Sequence, residues 1–447
     1  MKFTRSLWVL LLVLPFGSAG QENAVPRFSL ADAIAYALEH QLSQQNARLQ
    51  AEKARRNVQE VIGIGLPQIT AQGDFTHYLE LPTSLVPAEF FGGEAGTFVP
   101  IQFGTSFNTS AGLTLTQLIF DGRYLLGVKA AQVVQELAAK EVRRNRTELI
   151  YQVAKSYLTV LITDLRLEQL HATLNNMRAL LQQTELMHQA GFVEQLDVNR
   201  LQVSVNNLVT EVEKVSALRQ LSLDLLKFQM GMPVNSSIQL SDTLREMDLS
   251  DMWNYGAADP ERRIEYAMLR DQVTLAEMNV KRYRAGYYPS VYGAASLLVQ
   301  SQENRIRDIP EGTWYDVSLV GLTLSVPIFD GFSKARQVQA AKTEFLQAQN
   351  NLELFRQNVE VEVRAARTNL ENALRTLQLN RTSLELAKEV MRNAQIKYEQ
   401  QVGSSLELKE AETTLKNAQA AYAASLYEAW LARLELEKAL GILDQRF

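Results

Sequence analysis

Between Phe103 and Arg123 the chain alternates. Phe103, Phe107, Ala111, Leu113 and Leu115 fall on one parity, and Gly104, Ser106, Asn108, Ser110, Gly112, Thr114 and Thr116 on the other. Side chains of a strand point to opposite faces in turn, so this pattern predicts a strand over about 103–120 with one apolar and one small, polar face. At Phe120-Asp121-Gly122 the alternation stops, and a helical pattern with no Pro and a single Gly (Gly127) runs over about 123–189. At a rise of 1.5 Å per residue such a helix would be roughly 100 Å long. Within it Leu170, Leu174, Met177 and Leu181 step by four, three and four, the seam of a helix packed lengthwise on others.

The same plan governs what lies on either side. Ser29 is placed to cap a helix over about 30–62, which Gly63, Gly65 and Pro67 end, and period two returns over about 69–81. Residues 81–101, with three Pro and two adjacent Gly, read as a loop. Ala190-Gly191-Phe192 turns the long helix into an antiparallel partner over about 193–230, closed by Gly231 and Pro233. After an aperiodic linker at 232–258, containing Trp253, the plan repeats. A helix over about 260–285 ends before Pro289. Strands follow at about 290–300 and 314–328, the latter changing phase near Leu319-Val320 as a bulge would make it. Long helices at about 332–401 and 406–440 then meet at Val402-Gly403-Ser404-Ser405. Phe-Asp-Gly stands at 120–122 and again at 329–331, and Gly231 matches Gly441. The chain reads as two copies of one helix–strand–strand–helix–helix unit, 21–231 and 259–447.

Four strands cannot close a barrel, since the smallest single-chain barrels need about eight. Open sheet edges in lipid leave backbone groups unsatisfied. Three chains would supply twelve strands and satisfy both edges, and helices far longer than a ~30 Å hydrocarbon layer must project from it as a tube. The expected fold class is therefore mostly α with a transmembrane β-barrel: four strands per chain, a trimeric twelve-stranded barrel, and a long α-helical tunnel.

Composition sharpens this picture. Lys2 and Arg5, the apolar run Leu7–Phe16 and Ser18-Ala19-Gly20 read as a signal peptide over 1–20, so export is expected. With no Cys in the chain, neither a disulfide framework nor a lipid-anchored cysteine is expected. A formal net charge of −5 gives no footprint for nucleic acid. His40, His77, His171 and His188 form no metal-ligand spacing, and no nucleophile motif or phosphate loop is present, so no metal, no cofactor and no enzyme activity are expected.

Several stretches, taken in order, resemble the outer membrane efflux protein family, the TolC-like channels. They are FSLADAIAYALE at 28–39, Pro67 and Pro289 at the helix-to-strand swivels, Pro327-Ile328-Phe329-Asp330-Gly331, and YEQQVGSSLELKEAETTLKNAQ at 398–419. The first repeat departs at Leu118, where the second has Pro327. The resemblance implies a homotrimer in the outer membrane of a Gram-negative bacterium, in contact with its lipid, with a periplasmic helical tunnel. It implies docking to a periplasmic adaptor and, through that, to an inner-membrane pump of an efflux or type I secretion system. It places adaptor contacts at the hairpin tips, on Gly191, Val193, Leu196, Asp197, Val402, Gly403, Ser404, Ser405 and Leu406, and an acidic constriction at Glu407 and Glu410. Phe120, Asp121, Gly122 and Phe329, Asp330, Gly331 have a structural reading: an interfacial aromatic, a helix cap and a turn. The competing reading is a periplasmic adaptor or coiled-coil scaffold without a pore, against which the two alternating strand pairs count.

Overall fold

The computed structural model describes residues 26–244 and 256–446. The expected signal peptide, Trp253 and Phe447 lie outside the described residues. In chain order the elements are β1 (Arg27–Phe28), α1 (Leu30–His40), α2 (Leu42–Ile64), β2 (Gln68–His77), β3 (Thr83–Pro87), β4 (Phe98–Gln102), β5 (Phe107–Phe120), α3 (Gly122–Gln189) and α4 (Gln195–Met230). They continue with β6 (Gln239–Leu240), α5 (Ile264–Ala285), β7 (Ser290–Glu303), β8 (Trp314–Ser325), α6 (Ser333–Glu399), α7 (Ser405–Ala439) and α8 (Leu443–Arg446).

The four long strands form one antiparallel sheet in the order β2-β5-β7-β8, so the two repeats meet along β5 and β7 and the free edges are β2 and β8. The register fixes the faces. One carries Ile69, Ala71 and Phe75, then Leu113, Leu115, Leu297, Val299, Val320, Leu322 and Leu324. The opposite face carries Thr70, Gln72, Asp74, Ser110, Thr114, Ser296 and Gln300. Apolar-out and polar-in alternation of this kind is what a lipid-facing barrel wall needs.

Each strand pair passes into helices at one end of the sheet. The Asp121 carboxylate accepts the Arg123 backbone N–H at 2.7 Å and caps α3; Asp330 accepts that of Lys334 at 2.9 Å and holds the first turn of α6. At the other turns, Tyr124 donates to the Ile62 carbonyl at 3.0 Å and fills the space beside Gly65, while Tyr288 closes over Gly122. The helices pack side by side in the order α2, α3, α5, α6 near the sheet, and α4, α3, α7, α6 away from it. A waist core joins them, where Ile34, Ile150, Tyr157, Leu226, Met230 and Trp430 are buried. A second core lies toward the far end, with Leu174, Met177, Leu208, Tyr398 and Leu408. Around the waist β1 pairs with β6 in parallel, and Tyr157 donates at 2.8 Å to Asp242, which also accepts the Leu30 N–H at 2.9 Å.

Several expectations need correction. The strand expected from Phe103 starts at Phe107, because Gly104 takes φ +111° and Thr105 folds back onto the Asn108 side chain. The strand expected to 81 ends at His77, and that expected to 328 ends at Ser325, before Pro327. β7 runs on to Glu303. The helix expected over 30–62 is two helices, broken at Gln41, whose ψ of 125° is extended and whose side chain donates to the Phe228 and Gln229 carbonyls at the end of α4. The segment 81–101, read as a loop, holds the β3–β4 hairpin: its β-branched and aromatic residues pair despite Pro87 and Pro100. β8 pairs with β7 without a bulge; the register shift sits instead between Leu118 and Phe120 against β7. The helix expected from about 260 begins at Ile264, after one 3-10 turn at Pro260–Arg262.

Candidate functional site

The far end of the molecule is two helical hairpin tips that the fold brings together. The first forms where α3 ends: Gly191 takes φ +83°, a conformation with little cost only for glycine, and the Phe192 N–H donates to the Met187 carbonyl at 2.9 Å. His188 bridges the turn to the Val193 carbonyl at 2.9 Å. In the second tip the left-handed residue is Gln401, at φ +63°, rather than Gly403. Gly403 is required for another reason, since a Cβ there would lie 2.9 Å from that of Lys397. Ser404 then caps α7 by accepting the Glu407 N–H at 3.1 Å.

Three side-chain links tie the tips to each other. Thr184 on α3 reaches the Tyr398 hydroxyl on α6 at 3.5 Å, with Tyr398 buried. Arg200 on α4 donates to the Ser405 hydroxyl at 2.9 Å and lies 3.7 Å from Asp197. Lys409 on α7 donates to the Ser204 hydroxyl at 2.8 Å and to Glu412 at 3.0 Å, the latter carboxylate being 5% exposed. Beneath them Val198, Leu201, Leu408 and Ala411 close the packing. Burial raises the pKa of the Tyr398 phenol, although the Thr184 bond opposes it, so this link keeps its proton throughout the physiological range.

The residues singled out in the sequence separate into three groups here. Ser405 is buried and accepts Arg200, and Asp197 is half-buried beside the same guanidinium, so both serve the link between tips. Leu196, Val402 and Leu406 are exposed, together with Phe192 of the first turn; at 50–74% exposure they give the tips an apolar outer surface. Gly191, Val193, Gly403 and Ser404 shape the turns. Glu407 and Glu410 are exposed, one turn apart on α7, on the side away from buried Leu408 and Ala411. Lys409 stands within the second candidate tip, but Arg200, Ser204 and Glu412, which make the links with it, were missed. Each reads in sequence as an ordinary polar position on a solvated helix face.

At the other end of the helices, burial pushes the Asp121 carboxyl up, but the Arg123 side-chain and backbone hydrogen bonds outweigh it and leave the pKa below its ordinary value. The capping carboxylate is therefore ionised at neutral pH. Phe120, Phe329 and Phe332 are exposed beside these turns, and Pro67 and Pro289 precede β2 and β7. Among the described residues no cluster of three His, Asp or Glu side chains forms a metal-holding group, and no helix is long and apolar enough to cross a membrane.

Comparison with known proteins agrees with this geometry. The sequence profile of a family described as "Outer membrane efflux protein" matches residues 33–231 and 261–442. The chain is 21% identical over 354 residues to the outer membrane protein TolC of Vibrio cholerae, covering 75% of this chain and 77% of that one. It is 24% identical over 409 residues to nodulation protein T of Rhizobium leguminosarum bv. trifolii, covering 89% and 82%. Among solved structures, the CmeC outer membrane channel of Campylobacter jejuni superposes with a TM-score of 0.74 at 15% identity, covering 92% of this chain and 85% of that one. At that identity the likeness speaks for the fold.

Proposed function

The chain belongs to the outer membrane efflux protein family, and from that premise we propose that it works as a passive trimeric exit duct whose periplasmic tips are held shut until a partner docks. It is an outer-membrane efflux channel of a Gram-negative bacterium with a large periplasmic helical part. The observation that carries the rest is the sheet: one apolar face, one polar face, and two unpaired edges, β2 and β8. Pairing β2 of one copy with β8 of the next removes both edges and closes twelve strands around a polar lumen. The helices support the same threefold closure. α4 and α6 flank each protomer, and each carries an exposed apolar stripe, Leu218, Leu221, Leu225 and Phe228 on the first, Leu379, Leu386 and Val390 on the second. Such stripes bury one another between neighbouring copies.

In this reading the duct does no chemistry and couples no energy. Its resting state is held by the Thr184–Tyr398, Arg200–Ser405 and Ser204–Lys409 links. The apolar surface of Phe192, Leu196, Val402 and Leu406 receives a periplasmic adaptor, through which an inner-membrane pump is engaged. In a trimer Glu407 and Glu410 become rings of three carboxylates at a narrow mouth, which favour cations. Planar-bilayer recording of the purified protein tests this. The expected result is a small, mostly closed, cation-selective conductance whose selectivity falls in Glu407→Gln/Glu410→Gln. Unchanged selectivity would refute the constriction. A protein that stays folded and monomeric without detergent would refute the duct. The pore-less adaptor or scaffold reading has no observation in its favour, since neither needs a sheet with one largely apolar face.

A further inference from the structure

Where the four strands pass into helices, the surface changes character over a short distance. Ile328, Phe329, Tyr288 and Phe332 are 94%, 77%, 65% and 67% exposed, an apolar and aromatic rim at the tunnel-side end of the sheet. Just beyond it lie the last thirteen residues of α2 and α5, the first thirteen of α3 and α6, and the capping Asp121 and Asp330. At 1.5 Å per residue these segments lie within about 20 Å of the strands. Together they hold eleven basic and six acidic side chains, a net charge of +5 per protomer in a chain whose overall charge is −5.

The six carboxylates do not neutralise the collar. Glu52 serves Arg55 and Arg56; Asp121, Glu277 and Asp330 serve Arg123, Lys281 and Lys334; Glu344 accepts from Asn279; and Glu60 is exposed to solvent on α2. Lys53, Lys129, Arg284, Arg336 and Lys342 are all exposed with no carboxylate partner among the described residues. The opposite end of the sheet has the reverse sign: its two connections, 78–106 and 304–313, carry Glu80, Glu89, Glu94, Asp308 and Glu311 against Arg305 and Arg307, a net charge of −3. The charge asymmetry thus runs along the strand direction. Its positive pole begins just past an aromatic rim, where Arg284 and Arg336 stand within about 5 Å of their helix ends, at the depth of lipid headgroups, and Lys129, Lys342 and Lys53 follow at about 10–17 Å.

We propose that this basic collar is a docking surface for the phosphate headgroups of anionic phospholipids in the leaflet nearest the helices. The proposal rests on the reading of the sheet as an outer-membrane barrel. The aromatic rim sets the depth of the barrel in the bilayer, and the unpaired guanidinium and ammonium groups then meet headgroup phosphate, with Arg284 and Arg336 able to bind it bidentately. The collar fixes which way along its axis the barrel seats and holds the helices at a set height below the bilayer.

The test is native mass spectrometry of the full-length trimer released from mild detergent after incubation with equimolar phosphatidylglycerol and phosphatidylcholine, at low and high salt. One basic contact near an anionic surface is worth on the order of five-fold in retention. The wild type is expected to retain phosphatidylglycerol at least about five-fold over phosphatidylcholine at low salt, less at high salt, and the triple variant Arg284→Gln/Arg336→Gln/Lys342→Gln to lose most of that preference. Arg282→Gln/Lys129→Gln, on α5 and α3, gives the same readout should the triple variant fail to assemble. Equal retention of both lipids by the wild-type trimer, as expected if carboxylates of a neighbouring copy neutralise the collar, overturns the proposal. So does a preference unchanged in both variants. A trimer without lipid preference leaves the duct standing, whereas absence of any detergent-requiring trimer removes the duct and the collar together.

Discussion

Arg200→Ala combined with Lys409→Ala should open the tips. The two side chains make charged bonds between the hairpin tips, to Ser405 at 2.9 Å and Ser204 at 2.8 Å. A hydrogen bond to a charged group is worth about 1.5–3 kcal/mol when shielded from water. Here the Arg200 and Lys409 side chains are 49% and 43% exposed, so about 0.5–1 kcal/mol apiece is the appropriate scale. Losing both removes about 1–2 kcal/mol from the closed arrangement, a factor of about 5–30 in the closed-to-open ratio of each protomer. The loss of Lys409 adds to this, because it strands the buried Glu412 carboxylate without its ion pair. Single-channel recording reads the result as a rise in open time and mean conductance. The controls are the single variants, Lys409→Ala expected to give the larger share of the effect and Arg200→Ala the smaller, and the melting temperature of the purified protein, expected to change little because the waist core is untouched. A double variant that keeps the wild-type open fraction within two-fold, in a protein of normal stability, would show that these links do not hold the gate.

Three further outcomes follow from local geometry. Gln401→Gly should stabilise the second tip by about 0.5–1 kcal/mol by relieving a left-handed non-glycine residue, whereas Gly191→Ala should destabilise the first by about 1 kcal/mol; hydrogen exchange at the two turns separates them. Tyr157→Phe should cost about 1–2 kcal/mol at the waist, because the buried hydroxyl bonds both Asp242 and the Phe28 carbonyl, and limited proteolysis should cut the released N-terminal segment first. For Glu265 and Glu148, burial pushes the pKa up, but bonds from Arg263 and Lys438 outweigh it and hold both below the ordinary 4.5. A depressed folded pKa contributes stability above the unfolded value and loses it as pH falls through the folded one. Thermal stability of the waist should therefore be flat with respect to these groups above about pH 5 and decline below about 4.5; a decline that survives Glu265→Gln/Glu148→Gln would assign it elsewhere.

The parts of this architecture that were legible in the sequence are those written in local periodicity. The Leu170–Leu181 steps describe a helix seam because every contact repeats along one element, and Leu170, Leu174, Met177 and Leu181 are indeed buried together. The Phe-Asp-Gly turns are legible because capping acts within two to four residues. What was missed depends on distance along the chain. Arg200 and Ser405 are 205 residues apart, and nothing in the neighbourhood of either marks it as half of a pair. The break at Gln41 arises from the end of α4, nearly 190 residues downstream, whose carbonyls take its side chain. The phase change near Leu319 was a real signal with the wrong reading: β8 keeps its register, and its outer half carries Val317 and Leu319 on the polar face of the sheet and Asp316 and Ser318 on the apolar one.

The unbroken length of α3 has a mechanical consequence. From Tyr157, buried in the waist, to Gln189 at its end, the helix continues for 32 residues without a proline or glycine, a rod of about 48 Å. A rod of that length turns angle into displacement: rotation by about 6° around the waist carries its end through about 5 Å, enough to part the Thr184–Tyr398, Arg200–Ser405 and Lys409–Ser204 links at the tips while scarcely disturbing the packing at the pivot. Leverage also works in reverse. A weak pull applied at the end produces a torque at the waist proportional to the full arm. The tips can therefore be moved with modest force, and resistance to opening is set as much by the stiffness of the pivot around Tyr157 as by the bonds at the mouth.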